Sequence, residues 1–186
     1  MWYYKWPADI IANLVTTENP KGTVTNSDLE LAGGLIHLEA LVQTFDVQEH
    51  TFSSKADNLA TLFWQRKGST TNDKVSAYLL QLFGIHQRYH RYVPRHDYIS
   101  GPSNPMADDS SHMFELSNDE LLSYFNTKYS MCPKQRSTFQ LWMMSPQLIS
   151  TVTSALRNKQ SKQEPQLIST VTSALRNKQS KPESFW

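Results

Sequence analysis

A chain of 186 residues with 39% hydrophobic residues has room for one ordinary domain plus an extension, built around a modest core. Its net charge of +1 excludes a globally basic nucleic-acid binder and leaves room only for a local basic patch. The single cysteine, Cys132, excludes an intrachain disulfide and any multi-cysteine zinc module, and no apolar run approaches the ~20 residues of a membrane span.

A lone cysteine without a span fits a reducing, intracellular location, in cytoplasm or nucleus. The start, MWYYKWPADI, lacks the basic opening and apolar centre of a signal peptide and reads as the interior of something longer. Residues 2–6 and 9–16 are rich in Trp, Tyr, Ile and Val and predict two strands, or one strand interrupted by Pro7. A turn follows at Glu18–Gly22. The stretch TNSDLELAGGLIHLEALVQTF predicts a helix capped by Ser27, with Glu30 reaching back to it. Leu31, Leu35, Leu38 and Val42 fall on one face and Leu29, Gly33, Ile36 and Ala40 on a second, as expected of a centrally packed helix. Gly33 and Gly34 each weaken it by about 1 kcal/mol relative to Ala, which a close packing contact would justify.

Residues 46–54 predict a strand, and Asp57 opens a second helix over Asn58–Gln65 that stops near Gly68. A third helix is expected from Asn72 to Tyr92, with Val75, Leu79, Leu82 and Phe83 inward, then a short strand at His96–Ser100. This alternation predicts an α/β layer over residues 1–115. Residues 116–145 read as a connector holding one capped helix, SNDELLSYFNTKY. The tail, 146–186, contains PQLISTVTSALRNKQSK twice, at 146–162 and 165–181, each copy an amphipathic helix by its spacing. Two copies are too few for a repeat array, and a recent tandem duplication accounts for them.

Three acidic residues stand where a folded sheet would gather them: Glu30 in the central helix, Asp57 at a strand-to-helix junction and Asp108 at the start of the last helix of the layer. Gathered carboxylates repel by ~4 kcal/mol per pair at 4 Å and an effective dielectric of 20. Divalent cations relieve that repulsion, and oxygen ligands suit Mg²⁺ or Mn²⁺. Each residue also has an ordinary explanation. Glu30 serves as the capping partner of Ser27, Asp57 as an acid at a helix N-terminus, and Asp108 and Asp109 as first-turn acids behind Asn104 as cap and Pro105. Spacing alone leaves both readings open. The stretch HQRYHRYVPRH, residues 86–96, offers Arg88, Arg91, Arg95 and His96 among tyrosines as a phosphate-tracking surface or as a solvated helix face. His86 and His90 have the i, i+4 spacing of a zinc pair, but no glutamate follows the first histidine.

The stretch ISGPSNPMADDSS resembles the closing motif of the ribonuclease H domain of retroelement (retrotransposon) reverse transcriptases, in Ile99, Gly101, Asn104, Ala107, Asp108 and Ser111. TNSDLELAG is similar to the segment with that family's helix glutamate, at Glu30, and SSKADNLATLFWQRKGST to the one with its strand-end aspartate, at Asp57. The three come in the family's order across residues 20–112, and the overall texture is similar to fungal and oomycete retroelement polyproteins. The resemblance implies an RNase H-like mixed sheet flanked by helices, with a helical C-terminal tail. It further implies that Glu30, Asp57 and Asp108 hold Mg²⁺ or Mn²⁺ for two-metal hydrolysis of RNA in RNA/DNA hybrids, with Asp109 a neighbour.

Departures from the pattern carry their own expectations. Nothing before Glu30 matches the family's opening strand and its first catalytic aspartate; the upstream Asp9 is out of place for it. Ser110 replaces a leucine, His112 an arginine, and Tyr98 the loop histidine, for which His96 is the nearest substitute. A missing central strand removes ~6–12 kcal/mol of burial, comparable with a whole domain's ~5–15 kcal/mol. The expectation is therefore a marginal fold, an unpaired sheet edge inviting self-association, and impaired or absent endonuclease activity. A non-catalytic remnant with weak nucleic-acid binding, and an unrelated α/β interaction module using its duplicated tail, are the other readings.

Overall fold

A computed structural model describes residues 1–70, 74–129 and 138–157. Cys132, Asn72 and the second repeat copy lie outside the described residues. In chain order the elements are α1 (Ala8–Ile11), α2 (Asn26–Thr44), β1 (Thr51–Ala56), α3 (Leu59–Lys67), α4 (Lys74–His90) and β2 (Val93–Tyr98). A 3-10 turn at Gly101–Ser103 leads to α5 (Pro105–His112), α6 (Asn118–Lys128) and α7 (Pro146–Leu156). This is a mixed α/β arrangement. Among the described residues its sheet has two strands, β1 and β2, paired in parallel from Thr51 against Val93 to Ala56 against Tyr98.

The strands expected at residues 2–6 and 9–16 are absent. Pro7, with its fixed φ, starts a single helical turn in which Ile10 is buried and Ile11 is left half exposed. Leu14 then makes one isolated parallel bridge to Val24. The turn expected at 18–22 is present, and Gly22 is required there. A Cβ on it would lie 2.5 Å from the Leu14 carbonyl carbon, closer than any side chain tolerates. The first residues are tied to distant ones: the Met1 amine donates to Gln140 O at 2.7 Å, and Arg157 grips Asp9 through two hydrogen bonds.

Helix α2 begins two residues earlier than Ser27 would have it. Thr25 caps it, and Asp28 completes the box by accepting from Thr25 N at 2.8 Å and Thr25 Oγ1 at 2.7 Å. Asp28 is 2% exposed, so its second oxygen also needs a donor, and Ser76 Oγ from α4 supplies it. That bond fixes α4 against the first turn of α2. Both expected apolar faces of α2 are occupied: Leu29, Leu31, Ala32, Leu35, Ile36 and Leu38 are buried. Val75, Leu79, Leu82 and Phe83 meet them from α4, as their spacing predicts. Helix α7, the first repeat copy, adds Val152, Ala155 and Leu156 to the same core. No helix among the described residues is long and apolar enough to cross a membrane.

The first strand lies later than expected, at 51–56 rather than 46–54, because TFSSKA alternates half-buried and exposed positions without an apolar rhythm. Asn58 caps α3, and Gly68, at φ 64°, closes it in the left-handed region.

The glycine pair of α2 divides into two roles. A Cβ on Gly33 would meet the Trp2 ring at an ordinary 3.6 Å, whereas one on Gly34 would lie 3.2 Å from Phe83 Cζ and 3.1 Å from Gln65 Nε2. Gly33→Ala should stabilise the fold by about 1 kcal/mol through helix propensity. Gly34→Ala should lie about 1–3 kcal/mol below it, because buried Phe83 must shift. Urea unfolding of both variants checks this; equal stabilities would contradict the packing role of Gly34.

Candidate functional site

Parallel strands leave a sheet at the same edge, and ligands in α/β proteins bind outside the carboxyl ends of such strands. Here Asp57 directly follows the last residue of β1, and Ile99 N donates to Ala56 O at 3.0 Å as β2 leaves beside it. The chain then turns through Gly101, where a Cβ would sit 3.9 Å from Asp57 Oδ2. Helix α2 is drawn to the same corner: Thr61 Oγ1 donates to Ser27 O at 3.0 Å and Ser27 Oγ donates to Asn58 Oδ1 at 3.3 Å. These bonds join the first turns of α2 and α3 and bring Glu30 within electrostatic reach of Asp57. Glu30 is an exposed residue of α2, yet its carboxyl is pushed above its ordinary value, first by the desolvation of its charged end and then by the Asp57 charge.

The ordinary explanations for these two acids lose ground. Glu30 is no capping partner, since Thr25 and Asp28 make the box. Asp57 lies before the Asn58 cap rather than in the first turn of α3. Asp108 differs. It sits in the first turn of α5 with Pro105 at the helix start, as a helix-start acid would, and its side chain is 69% exposed. Its closest ionic neighbour is His112, 3.8 Å away. Glu30, Asp57 and Asp108 do not bring their ligand atoms within 4.8 Å of one another; among the described residues only Glu39, His86 and His90 form such a group of three. Asp57 is the charge that acts on the Glu30 carboxyl, and Asp108 is not among its causes.

Asp109 has a separate job. Its Oδ2 accepts from Lys128 Nζ at 2.6 Å, Tyr129 OH at 2.6 Å and Tyr124 OH at 2.9 Å. It therefore docks α5 onto α6, and it lies beyond the first turn of α5 where it was expected to serve as a dipole acid. Those hydrogen bonds, led by Lys128, pull its carboxyl down to about 2.

The basic stretch is split by the fold. Arg88, Arg91 and Arg95 are exposed, on α4, the connection and β2. Arg91 pairs with Glu49, and Arg95 Nε lies 3.5 Å from Asp97, which also faces Arg66 at 3.4 Å. His96 is only 7% exposed, and burial followed by the Arg66 charge lowers its pKa, so it stays neutral inside. It belongs neither to a phosphate-contacting surface nor to the loop where a substitute histidine was expected. A polar cavity of about 400 Å³, lined by Gln65, Arg66, Gln87 and Arg95 among others, opens beside this stretch.

Glu39 is the residue that no sequence pattern marks. His86 and His90 lack a following glutamate, yet the fold brings one from α2, with Glu39 Oε2 2.9 Å from His86 Nε2. The signal was half present in the i, i+4 histidines; the carboxylate lies 47 residues from His86, beyond any local motif.

Compared with descriptions of known protein families, with curated proteins and with solved structures, the chain finds no match.

Two titrations probe this region. A raised carboxyl pKa means that Glu30 favours the folded state most at low pH, and that this contribution declines as pH rises from the ordinary 4.5 through the raised value. Asp57→Asn should move the Glu30 midpoint downward part of the way to 4.5 in carboxyl-carbon NMR, and an unmoved midpoint would deny the coupling. Asp109 works in the opposite direction, because its folded pKa is depressed. Asp109→Asn should lower stability above about pH 3.8, and the deficit should close as pH falls towards about 2. Asp108→Asn should leave stability unchanged in the same urea series.

Proposed function

We propose that this chain is a retroelement-derived, RNase H-like nucleic-acid-binding domain whose hydrolytic site is impaired. The observation that carries the reading is the coupled pair Glu30 and Asp57, placed where the parallel strands end and beside the Gly101–Asn104 turn that resembles the family's closing motif. In this reading Glu30 and Asp57 hold Mg²⁺ or Mn²⁺, with Asp108 as the third ligand that the resemblance implies. The metal would activate water and stabilise the leaving oxygen of an RNA phosphodiester. The protein's own part is to hold two carboxylates close together against their repulsion and to seat the backbone of an RNA/DNA hybrid along exposed Arg88, Arg91 and Arg95. With the family's first aspartate unmatched and the three acids not gathered into one cluster, binding should outlast catalysis. The outer edges of β1 and β2, each strand having one neighbour among the described residues, would allow self-association.

A labelled RNA/DNA hybrid tests the reading, once circular dichroism has verified that every protein is folded. Binding followed by fluorescence anisotropy should weaken steeply as salt rises. Arg88→Glu and Arg95→Glu should each weaken it and flatten the log–log salt slope by about 0.9 for every phosphate that is no longer neutralised. Cleavage in Mn²⁺ should be trace at most and vanish in Asp57→Asn. Absence of binding at low salt, or binding indifferent to both arginine changes, would overturn the proposal. Vigorous cleavage would overturn the impairment.

A further inference from the structure

We propose that Glu39, His86 and His90 form a binding site for a divalent transition metal of the zinc class, clamping α2 to α4. It is distinct from the carboxylate pair at the strand ends and uses none of the same residues.

The geometry begins with α4. Histidines four residues apart point to one face of a helix, and the His86 and His90 rings lie 4.5 Å apart, tilted by 44°. That face turns towards α2, where Glu39 Oε2 sits 2.9 Å from His86 Nε2 and 3.9 Å from His90 Nε2. Metal–ligand bonds of about 2.0–2.1 Å in a tetrahedron require ligand atoms about 3.3–3.4 Å apart. The two separations from Glu39 straddle that value, each within roughly half an ångström of it, and all three ligand atoms lie within 4.8 Å of one another. Both imidazole Nε2 atoms thus face the same Glu39 oxygen.

The surroundings orient each donor. His86 Nδ1 lies 2.7 Å from Tyr92 OH, the outer hydrogen bond that frees Nε2 to ligate. Gln43 Nε2 donates to Glu39 Oε1, and Trp142 Nε1 in turn donates to Gln43 Oε1 at 3.1 Å, which leaves Oε2 facing the histidines. Two imidazoles and one carboxylate suit zinc-class ions better than Mg²⁺ or Ca²⁺. The side chains of His86, Glu39 and His90 are 8%, 12% and 19% exposed, so the site is sheltered and His90 marks the side from which water can fill a fourth position. Ligation through His86 Nε2 uses the neutral ring with its single proton on Nδ1, donated to Tyr92 OH, so that Nε2 offers a lone pair.

The test uses the full chain without an affinity tag, titrated with Zn²⁺ by calorimetry and with Co²⁺ by visible absorption. One equivalent should bind, Co²⁺ should give the intense ligand-field bands of a four-coordinate site, and the thermal midpoint should rise with metal. His90→Ala should weaken binding by more than about 100-fold, and Tyr92→Phe, which keeps the ring, by about 10–100-fold. The exposed His50→Ala and His112→Ala should leave it unchanged. Failure of the wild type to bind, weak six-coordinate Co²⁺ bands, or equal binding by His90→Ala would overturn the proposal. If His90→Ala is unfolded, Tyr92→Phe and the Co²⁺ spectrum of the wild type decide.

Discussion

The fold rests on a helix covered on most of its sides, with an exposed stripe through Asn26, Glu30, His37 and Thr44. Helix α2 is apolar around most of its circumference, and such a helix is stable in water only when neighbours cover it. Helix α4 covers one face through Val75, Leu79 and Phe83, and α7 brings Val152 and Leu156 into the same core. The burial reaches the helix start, where Asp28 carries a charge into the interior and is satisfied by Thr25 and Ser76. A buried carboxylate tolerates no slack in its donors, so α2 and α4 share one register. Both candidate sites inherit that register. Glu30 and Glu39 lie on α2, while His86 and His90 lie on α4.

From this anchor the chemistry at the strand ends follows. Two parallel strands need a crossover, here α3 and α4, which returns the chain to the same sheet edge. Asp57 leaves β1 and Gly101 follows β2 at that edge, and the Ser27, Asn58 and Thr61 hydrogen bonds hold α2 beside them. There the Asp57 charge adds to the desolvation that raises the Glu30 carboxyl. On α5 the neighbouring aspartates have opposite fates. Asp109 is consumed by Lys128 and two tyrosines, and Asp108 is left to solvent.

Much of this was legible where the sequence pattern was strong. The central helix, its two buried faces, the inward residues of α4 and the Asn58-to-Gly68 helix are all written in spacing and caps. The misses have specific causes. Residues 9–16 carry β-branched side chains, but Pro7 followed by Ala8 and Asp9 is a helix start, and that signal outweighed strand propensity over one turn. Two overlapping cap signals, Thr25 with Asp28 and Ser27 with Glu30, competed two residues apart. The earlier one prevailed because Asp28 also reaches Ser76, a contact with a residue 48 positions away. The same distance problem hid Glu39 from the histidine pair and His96's burial from the basic stretch, since both depend on how β2 and α4 lie against the rest. Asp57 and Glu30 were singled out by motif, but only the fold brings Glu30 within electrostatic reach of Asp57.

The central claim is that Glu30 and Asp57 form a cation-binding pair at the strand ends. Amide NMR spectra recorded during a Mn²⁺ titration test it most directly, because the paramagnetic ion broadens only signals close to where it binds. The account predicts early broadening of Glu30, Asp57, Asn58, Ile99 and Gly101, removed by Asp57→Asn, while the amides around His86 follow only at higher concentration. Broadening confined to His86 and His90, or scattered over exposed acids such as Asp108 and Glu115 with Glu30 and Asp57 untouched, would contradict it.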